Sequence, residues 1–258
     1  MSARKGVALV TGAAQGIGRS IALKLADDGF DVAVNDIGAN SEKLQTLVEE
    51  IQGKGRASSM HVADVSQEEE VKTMIQQVAE HHAGFDVMVA NAGVTGKPGV
   101  PFTEIPVEEW DRVMTNNARG TFLCYKHAGL QLIKQGRRGG RIIGASSIAG
   151  KQGMLKQGPY CASKFAVRGL TQSAALEFGA HGIMVNAFAP GAIDTPLLAQ
   201  ASVTGDPADI ITKVTEQSPL KRIGTTDDVA NLVSFLASEE SQFITGQTIS
   251  VNGGIYFD

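Results

Sequence analysis

The sequence is short of cysteine, aromatic residues and positive charge, and each shortage argues against a class of protein. Two cysteines, Cys124 and Cys161, do not make a disulfide framework in 258 residues, so we expect a reducing, cytoplasmic environment. Aromatic residues make up 5% of the chain, which is too few for a surface that stacks nucleic-acid bases. The formal net charge of −4 gives no field for holding a polyanion, so we expect no nucleic-acid partner.

Long apolar runs are also missing. No apolar segment approaches the roughly 18 residues that a membrane-spanning helix needs. The first strand-like pattern, VALV, comes within ten residues of the start, which leaves no room for a signal peptide. We therefore expect a soluble protein with no membrane partner.

Two local groups of basic residues carry little functional signal. His81 and His82 are sequential, so they point about 100° apart on a helix and cannot hold one metal ion together. We interpret them as a solvated helix end and expect no metal site. The segment KQGRRGGR is interpreted as a solvated turn, and its basic residues are Lys134, Arg137, Arg138 and Arg141.

Short apolar runs alternate with longer helical patterns along almost the whole chain. Strands are predicted at 6–10, 31–36, 57–62, 86–90, 141–146, 183–188 and 248–251. Helices are predicted at 17–29, 41–53, 67–83, 106–135, 160–181 and 226–238. This alternation predicts one doubly wound α/β domain over 1–258, with a seven-stranded parallel sheet and helices on both faces. The longest irregular piece, 195–222, is predicted to be a substrate lid.

A glycine-rich turn follows the first predicted strand. The segment GVALVTGAAQGIGRSIA runs directly into the first predicted helix and places Gly12, Gly16 and Gly18 at the turn. Glycine lets the backbone approach a pyrophosphate, and the N-terminus of the helix offers free N–H groups to anionic oxygens. This order of strand, tight turn and helix predicts a dinucleotide site.

Asp36 ends the second predicted strand, 18 residues after Gly18. A carboxylate there can accept hydrogen bonds from the adenosine ribose and would repel a 2′-phosphate. No lysine or arginine stands at Gln15 or Ile37, where a 2′-phosphate would want a cation. The pattern predicts NAD(H) rather than NADP(H). The alternative is an aspartate that only caps a turn.

The glycine spacing T-G-x-x-x-G-x-G and the motifs that follow it resemble the short-chain dehydrogenase/reductase family along essentially the whole chain. The motifs are Asp64-Val65, the NAG of Asn91-Ala92-Gly93, Asn117 in NNARG, Ser147 in SSIAG, Tyr160 and Lys164 in YCASK, and PGAIDTP at 190–196. The resemblance implies a Rossmann-type fold and, in many members, a homotetramer. It also implies a cofactor site made of Gly12, Gln15, Gly16, Ile17, Gly18, Asp36, Ile37, Asp64, Val65, Asn91, Ala92, Gly93, Tyr160, Lys164, Pro190, Gly191, Ile193 and Thr195.

Tyr160 and Lys164 lie about one helical turn apart, so both side chains leave the same face. Taken alone, such a pair is either a solvated helix face or a phenol whose acidity is tuned by the ammonium. An unperturbed tyrosine has a pKa of about 10, and a cation beside it, together with the positive nicotinamide, would lower that value. We predict Tyr160 as general acid and base, Lys164 as a partner of the nicotinamide ribose, and Ser147 as a donor to the substrate oxygen. By resemblance, Asn117 holds a water that relays the proton.

Within the family the chain looks most like the acetoin/diacetyl reductase, or 2,3-butanediol dehydrogenase, branch. Bacterial members of that branch tend to carry polar residues where this chain has Ile148 and Met154. The change predicts a pocket, built on Ser147 and Tyr160, for a bulkier and more apolar ketone or secondary alcohol. Its further walls would be Leu155, Leu197 and Leu198, unless these are ordinary lid-packing residues.

Two other functions stay open. Reduction of a 3-oxoacyl thioester is common in the family and usually goes with NADPH and a basic surface, and neither is visible in the sequence. A dinucleotide-binding protein without catalysis would have no need of the Ser147, Tyr160 and Lys164 set.

Overall fold

A parallel sheet forms the centre of the molecule. The computed structural model describes residues 4–136, 139–200 and 207–257. The strands are β1 (Gly6–Thr11), β2 (Phe30–Asp36), β3 (Ser58–Val62), β4 (Val87–Ala90), β5 (Arg141–Ala145), β6 (Met184–Pro190) and β7 (Thr248–Val251). They pair in the order β3-β2-β1-β4-β5-β6-β7, with parallel neighbours throughout. This confirms the predicted seven-stranded parallel sheet. The order reverses between β1 and β4, and such a switch point leaves a crevice at the carboxyl ends of the strands.

Helices cover both faces of this sheet. They are α1 (Gly16–Asp28), α2 (Ser41–Gly53), α3 (Glu68–His81), α4 (Val107–Met114), α5 (Gly120–Gln135), α6 (Gly158–Phe178), α7 (Pro196–Gln200), α8 (Pro207–Gln217) and α9 (Thr226–Ala237). On one face α1, α2 and α9 bury Leu25, Leu47 and Val233. On the other face Met74 of α3 and Leu123 of α5 are buried. Each such side chain contributes roughly 1.5–3 kcal/mol through burial. In the part of the chain described here, no helix is both long and apolar enough to span a membrane.

The predicted helix over 106–135 contains one irregular turn. Helix α4 continues through a π-helical turn, Thr115–Arg119, directly into α5. A π-turn widens the helix by one residue and often marks a functional site. The fully buried Asn117 lies within this turn.

The sequence predicted that 195–222 is irregular. This prediction is wrong, because the segment contains α7 and α8. Proline is compatible with the first turn of a helix, and both helices begin with one. Residues 201–206 of this segment lie outside the described residues, as do 1–3 and 258. The function of the segment as a lid stays a prediction.

The interpretation of KQGRRGGR as a solvated turn is wrong for Arg141. This side chain is only 4% exposed, and its guanidinium donates to the carbonyl oxygens of Gly139 and Ser238. Arg141 belongs to β5, where it pairs with Val87 of β4 and Met184 of β6, and its side chain is buried as a result. Lys134 is exposed, whereas 137 and 138 lie outside the described residues.

The interpretation of His81 and His82 as a solvated helix end is wrong for His82. Its ring is buried, and its Nε2 lies 2.8 Å from the Ser59 hydroxyl on β3. Burial, together with the neighbouring His81, lowers the pKa of His82 to about 4. The ring is therefore neutral near pH 7. Within the described ranges, no group of three or more histidine, cysteine, aspartate or glutamate side chains could hold a metal ion.

Candidate active site

The turn between β1 and α1 depends on glycine at two positions. Gly12 has a φ of +63°, and a Cβ at this residue would lie 2.8 Å from the Cα of Ala92. A Cβ on Gly18 would lie 2.2 Å from the carbonyl oxygen of Gly12. Larger residues would therefore force the turn away from the end of β4. Thr11 fastens the same junction, because its hydroxyl oxygen accepts from the backbone N–H groups of Asn91 and Ala92 at 3.1 Å.

The N-terminus of α1 is open toward a cleft of about 400 Å³. Gln15 precedes the helix without a capping side-chain hydrogen bond, and the first turn contains no acidic residue. The first N–H groups of a helix and its dipole favour an anion at such a terminus. The cleft is lined by thirteen of the predicted cofactor residues: Gly12, Gln15, Gly16, Ile17, Gly18, Asp36, Ile37, Asp64, Val65, Asn91, Ala92, Gly93 and Thr195. This arrangement fits the pyrophosphate of a dinucleotide.

Asp36 faces this cleft and also braces the glycine turn. Its Oδ2 accepts from the backbone N–H of Ala14 at 3.1 Å, and its Oδ1 accepts from Ile37 N and from Asn40 Nδ2 at 2.9 and 2.8 Å. Asp36 therefore both caps the turn and lines the cleft. A carboxylate has about four acceptor sites, so capacity for a ribose hydroxyl is left over.

Lys43 is a cation next to Gln15 that the sequence pattern did not indicate. It lies in the first turn of α2, and its Nζ donates to the side-chain oxygen of Gln15 at 2.9 Å. Gln15 and Ile37 themselves carry no positive charge, but the fold brings Lys43 of α2 into contact with Gln15. The predicted exclusion of a 2′-phosphate therefore has its support in Asp36 and not in a shortage of nearby cations.

Asp64 and Val65 close the far side of the cleft after β3. The Oδ1 of Asp64 accepts from Ser66 N at 2.9 Å, which fixes the turn into α3. Val65 is buried, and a Cβ on Gly120 would lie 3.0 Å from its side chain. The α5 helix therefore packs closely behind this wall.

Asn117 is fully buried, and its side chain connects two elements through hydrogen bonds. Its Oδ1 accepts from Val94 N at 2.8 Å, and its Nδ2 donates to Val94 O at 2.9 Å and to Ser163 Oγ at 3.0 Å. The side-chain amide thus joins the segment after β4 to α6. A Cβ on Gly93 would lie 3.0 Å from Asn117 Oδ1 and 3.5 Å from Lys164 Nζ, so glycine lets both groups approach one point. The water relay expected of Asn117 stays a prediction.

Three of the four predicted catalytic side chains, Ser147, Tyr160 and Lys164, line one cavity of about 570 Å³, whereas Asn117 is buried and does not line it. Ser147 begins a 3₁₀ turn, Ile148–Gly150, directly after β5, and its Oγ accepts from Ala149 N at 3.1 Å. That bond uses a lone pair and leaves the hydroxyl proton of Ser147 for a second bond, which Tyr160 or a substrate oxygen can accept. Tyr160 and Lys164 face the same cavity from α6, with Lys164 Nζ 5.5 Å from the centre of the Tyr160 ring.

The electrostatics of the chain alone differ from the prediction for Tyr160. Burial raises the pKa of Tyr160, although a hydrogen bond with Ser147 acts in the opposite direction. Lys164 does not supply the expected lowering, because its Nζ lies over the ring and donates to the carbonyl oxygen of Ala145 at 2.8 Å. Burial lowers the pKa of Lys164 to about 8. Near pH 7 the phenol is therefore neutral and the amine is mostly charged.

Comparison with known proteins assigns the chain to a family. A family model described as enoyl-(acyl carrier protein) reductase matches residues 12–256. A short-chain dehydrogenase/reductase of Armillaria gallica is 54% identical over 254 residues, which cover 98% of this chain and 96% of the relative. The chain belongs to the short-chain dehydrogenase/reductase family. Members of this family are oxidoreductases that bind a nicotinamide cofactor.

Two further similarities broaden the range of relatives. The 3-oxoacyl-[acyl-carrier-protein] reductase FabG of Staphylococcus epidermidis is 45% identical, with 96% of this chain and 98% of the relative covered. The structure of 7α-hydroxysteroid dehydrogenase in complex with NADH and 7-oxo glycochenodeoxycholic acid superimposes with a TM-score of 0.90 at 30% identity. The match covers 97% of this chain and 94% of that one. Relatives of this short-chain dehydrogenase/reductase thus bear names for quite different substrates.

Most predicted wall residues of this short-chain dehydrogenase/reductase line the cavity, and one does not. The cavity is lined by Ser147, Ile148, Met154, Tyr160, Leu197 and Leu198, and by the remaining predicted cofactor residues Lys164, Pro190, Gly191 and Ile193. The prediction for Leu155 is wrong, because its side chain is 91% exposed. Met154 N donates to Cys161 Sγ at 3.3 Å, which holds Met154 against α6 while the next residue points to solvent.

The sequence analysis missed a further wall of the cavity in this short-chain dehydrogenase/reductase. Four residues of α8 line it, Ile210, Lys213, Val214 and Gln217, together with Gln152 and Gln157 before α6. The α8 residues are spaced i, i+3, i+4 and i+7, which is the pattern of one helix face. That spacing was visible in the sequence but was overlooked because 195–222 was interpreted as irregular.

Proposed function

We propose that this chain is an NAD(H)-dependent oxidoreductase that acts on a secondary alcohol or ketone with a bulky, apolar body. One observation carries the proposal: Ser147 and Tyr160 face a cavity of about 570 Å³ whose other walls are mostly aliphatic. Those walls include Ile148, Met154, Leu197, Leu198, Ile210 and Val214. A volume of this size lies in the range of pockets that enclose drug-sized ligands.

The choice of NAD(H) is supported by Asp36. Its carboxylate lies in the cleft at the end of β2, where it would accept hydrogen bonds from ribose hydroxyls and repel a 2′-phosphate. The dinucleotide would extend from the N-terminus of α1 toward Tyr160 and Lys164. Gly93 and Thr195 lie on this path, since each of them lines both the cleft and the cavity.

The residues of the chain handle the proton and the developing charge. The nicotinamide supplies or accepts the hydride when it is bound. In ketone reduction the neutral phenol of Tyr160 donates its proton to the carbonyl oxygen, and Ser147 donates a hydrogen bond to the same oxygen. In alcohol oxidation the phenolate is the base, and with the cofactor bound the ammonium of Lys164 would favour that form, which it does not do in the chain alone.

A smaller substrate of the acetoin or diacetyl type is supported less well. A vicinal diketone or hydroxyketone has a second oxygen that needs a polar partner. Ile148 and Met154, which line the cavity, offer no such partner at their positions. Apolar groups at these two positions discriminate poorly in favour of a polar ligand.

Reduction of a 3-oxoacyl thioester is the second candidate. It is favoured by 45% identity to the FabG reductase of Staphylococcus epidermidis. Asp36 argues against it if the reductant is NADPH, and the net charge of −4 offers little to an acidic carrier protein. A dinucleotide-binding protein without catalysis is the third reading, and the assembled Ser147, Tyr160 and Lys164 argue against it.

We also propose a cytoplasmic homotetramer in which 1–258 is one domain and 195–222 is its substrate lid. The assembly is supported by exposed apolar side chains on α5 and α6, which are Phe122, Leu130, Phe165 and Leu176. Exposed apolar groups of this kind often mark an interface. Light scattering coupled to size-exclusion chromatography tests the assembly, and a monomer at micromolar concentration would contradict it.

The function is tested by initial rates on a carbonyl panel with NADH and with NADPH. The panel contains α-tetralone, acetophenone, acetoin, diacetyl and acetoacetyl-CoA. We expect the highest kcat/KM for an aromatic ketone with NADH. Preference for acetoin would contradict the apolar pocket, and preference for acetoacetyl-CoA with NADPH would support the thioester reductase. Absence of nucleotide oxidation with every compound would support the binding protein.

A further inference from the structure

Helix α8 brings two polar side chains to the otherwise apolar lid side of the cavity. Ile210 and Val214 on this helix line the cavity with aliphatic groups, and Lys213 and Gln217 line it one turn apart from each other. These four residues form the face of α8 that is turned to the cavity. A helix that served only to cover an apolar ligand would not need an ammonium on this face.

The described residues that line the cavity carry positive charge only. Among the described residues that line it, the ionisable side chains are Tyr160, Lys164 and Lys213, without a carboxylate. Lys164 is buried and donates a hydrogen bond to the carbonyl oxygen of Ala145. Lys213 is exposed and lines the cavity from α8. The cavity therefore has an exposed cation as well as the buried one.

Three glutamine side chains line the same cavity as Lys213. Gln152 and Gln157 line the cavity from the segment before α6, and Gln217 lines it one turn after Lys213. Amides can donate to an anionic oxygen without adding charge. Two ammonium groups without a carboxylate would repel a cationic ligand and attract an anionic one. A neutral ligand would gain nothing from Lys213.

We propose that the substrate carries an anionic group remote from its reacting carbon, and that Lys213 binds this group with help from Gln217. The substrate class is then an apolar ketone or alcohol with a carboxylate, sulfonate or phosphate at its far end. This inference rests on the proposed function, since it concerns the same cavity. Lysine acts as a compact point charge with three donors, so it accepts any of these oxyanions.

Matched pairs of acid and ester test this proposal. The probes are 4-acetylbenzoate, 3-(4-acetylphenyl)propanoate and 5-(4-acetylphenyl)pentanoate, each beside its methyl ester, so that the carboxylate is moved step by step from the ketone. The variants are Lys213→Ala, Lys213→Glu and Lys213→Arg. Lys134→Ala on α5 is the matched control, because it removes an exposed lysine remote from the cavity.

The expected result is a change in the ratio of kcat/KM for the acid to kcat/KM for its ester. A charge-assisted hydrogen bond at a partly exposed site supports a fall of about tenfold in Lys213→Ala for the acid of best length. Lys213→Glu should lower the ratio further, and Lys213→Arg should keep most of it. The preference for the acid should also weaken as ionic strength rises. In Lys134→Ala the ratio should equal that of the unmodified chain.

A second measurement separates failure of this proposal from failure of the proposed function. The NADH complex of Tyr160→Phe is titrated with the same acids and esters by calorimetry, with and without Lys213→Glu. Acid binding that is lost in Lys213→Glu supports the anion site even if no ketone is ever turned over. Equal binding of acid and ester would overturn it. A higher Kd for NADH in Lys213→Ala would also overturn the proposal, because the ammonium would then bind the cofactor and not the substrate.

Discussion

The hydroxyl of Ser146 donates a hydrogen bond to the backbone carbonyl of Lys164 at 3.0 Å. This bond fastens the end of β5 to the middle of α6, next to the three side chains proposed for catalysis. Gly150 lies in the same junction. A Cβ at Gly150 would lie 2.3 Å from Ser146 Oγ and 2.5 Å from Lys164 O. The turn that begins at Ser147 can therefore approach α6 only because residue 150 has no side chain.

Gly150→Ala should displace Ser147 from Tyr160. We expect kcat/KM for any accepted ketone to fall at least about tenfold, and overpacking of this kind to cost about 1–3 kcal/mol of unfolding free energy. Initial rates and urea unfolding measure the two effects. Gly153→Ala is the control, since a Cβ there meets no atom within 4 Å. Equal behaviour of the two variants would show that the junction does not control the site.

The prediction for Asp36 concerns the choice of nucleotide. The unmodified chain should use NADH at least about tenfold better than NADPH in kcat/KM, because the carboxylate repels a 2′-phosphate. Asp36→Ala should lose part of its NADH activity and gain NADPH activity. Removing Lys43 as well, in Asp36→Ala/Lys43→Ala, should take away part of that gain, since Lys43 bonds to Gln15 beside the cleft. Preference of the unmodified chain for NADPH would contradict the ribose argument.

The low pKa of Lys164 predicts a pH profile for ketone reduction. Its folded value of about 8 lies below the ordinary value, so the ammonium is present below about pH 8 and is lost as pH rises through it. We expect kcat/KM at saturating NADH to be constant near pH 7 and to fall above about pH 8, because the phenolate then lacks its cation. Fluorescence of bound NADH checks that the nucleotide stays in place. A profile that stays flat to about pH 10 would show an ordinary lysine.

The sequence predicted the sheet well because strand–helix alternation and continuous apolar runs are strong local signals. Each predicted strand is present in the structure, with bounds that differ by at most two residues. The same signals failed at α8, where the face that includes Ile210 and Val214 was overlooked inside a polar segment. They also failed at Arg141 and His82, because burial of a polar side chain depends on tertiary partners such as Ser238 and Ser59.

The candidate site was predictable to the extent that its motifs are local. The residues of the glycine turn, Ser147, Tyr160 and Lys164 all line the cleft or the cavity. The direction of the Leu155 side chain was not predictable, since Leu155 lies outside any helix or strand and no regular periodicity sets which way its side chain points. The pKa of Tyr160 was not predictable either, because it depends on where the ammonium of Lys164 points.

The central claim is that the phenol of Tyr160 moves the proton. Tyr160→Phe keeps the ring and removes only the hydroxyl, so the cavity and the nucleotide cleft should be preserved. The direct measurement is the rate of NADH oxidation by Tyr160→Phe with the best ketone of the panel, together with the Kd for NADH. We predict a loss of turnover of at least about a thousandfold with an NADH Kd within about threefold of the unmodified chain. Turnover comparable to that of the unmodified chain would contradict the account.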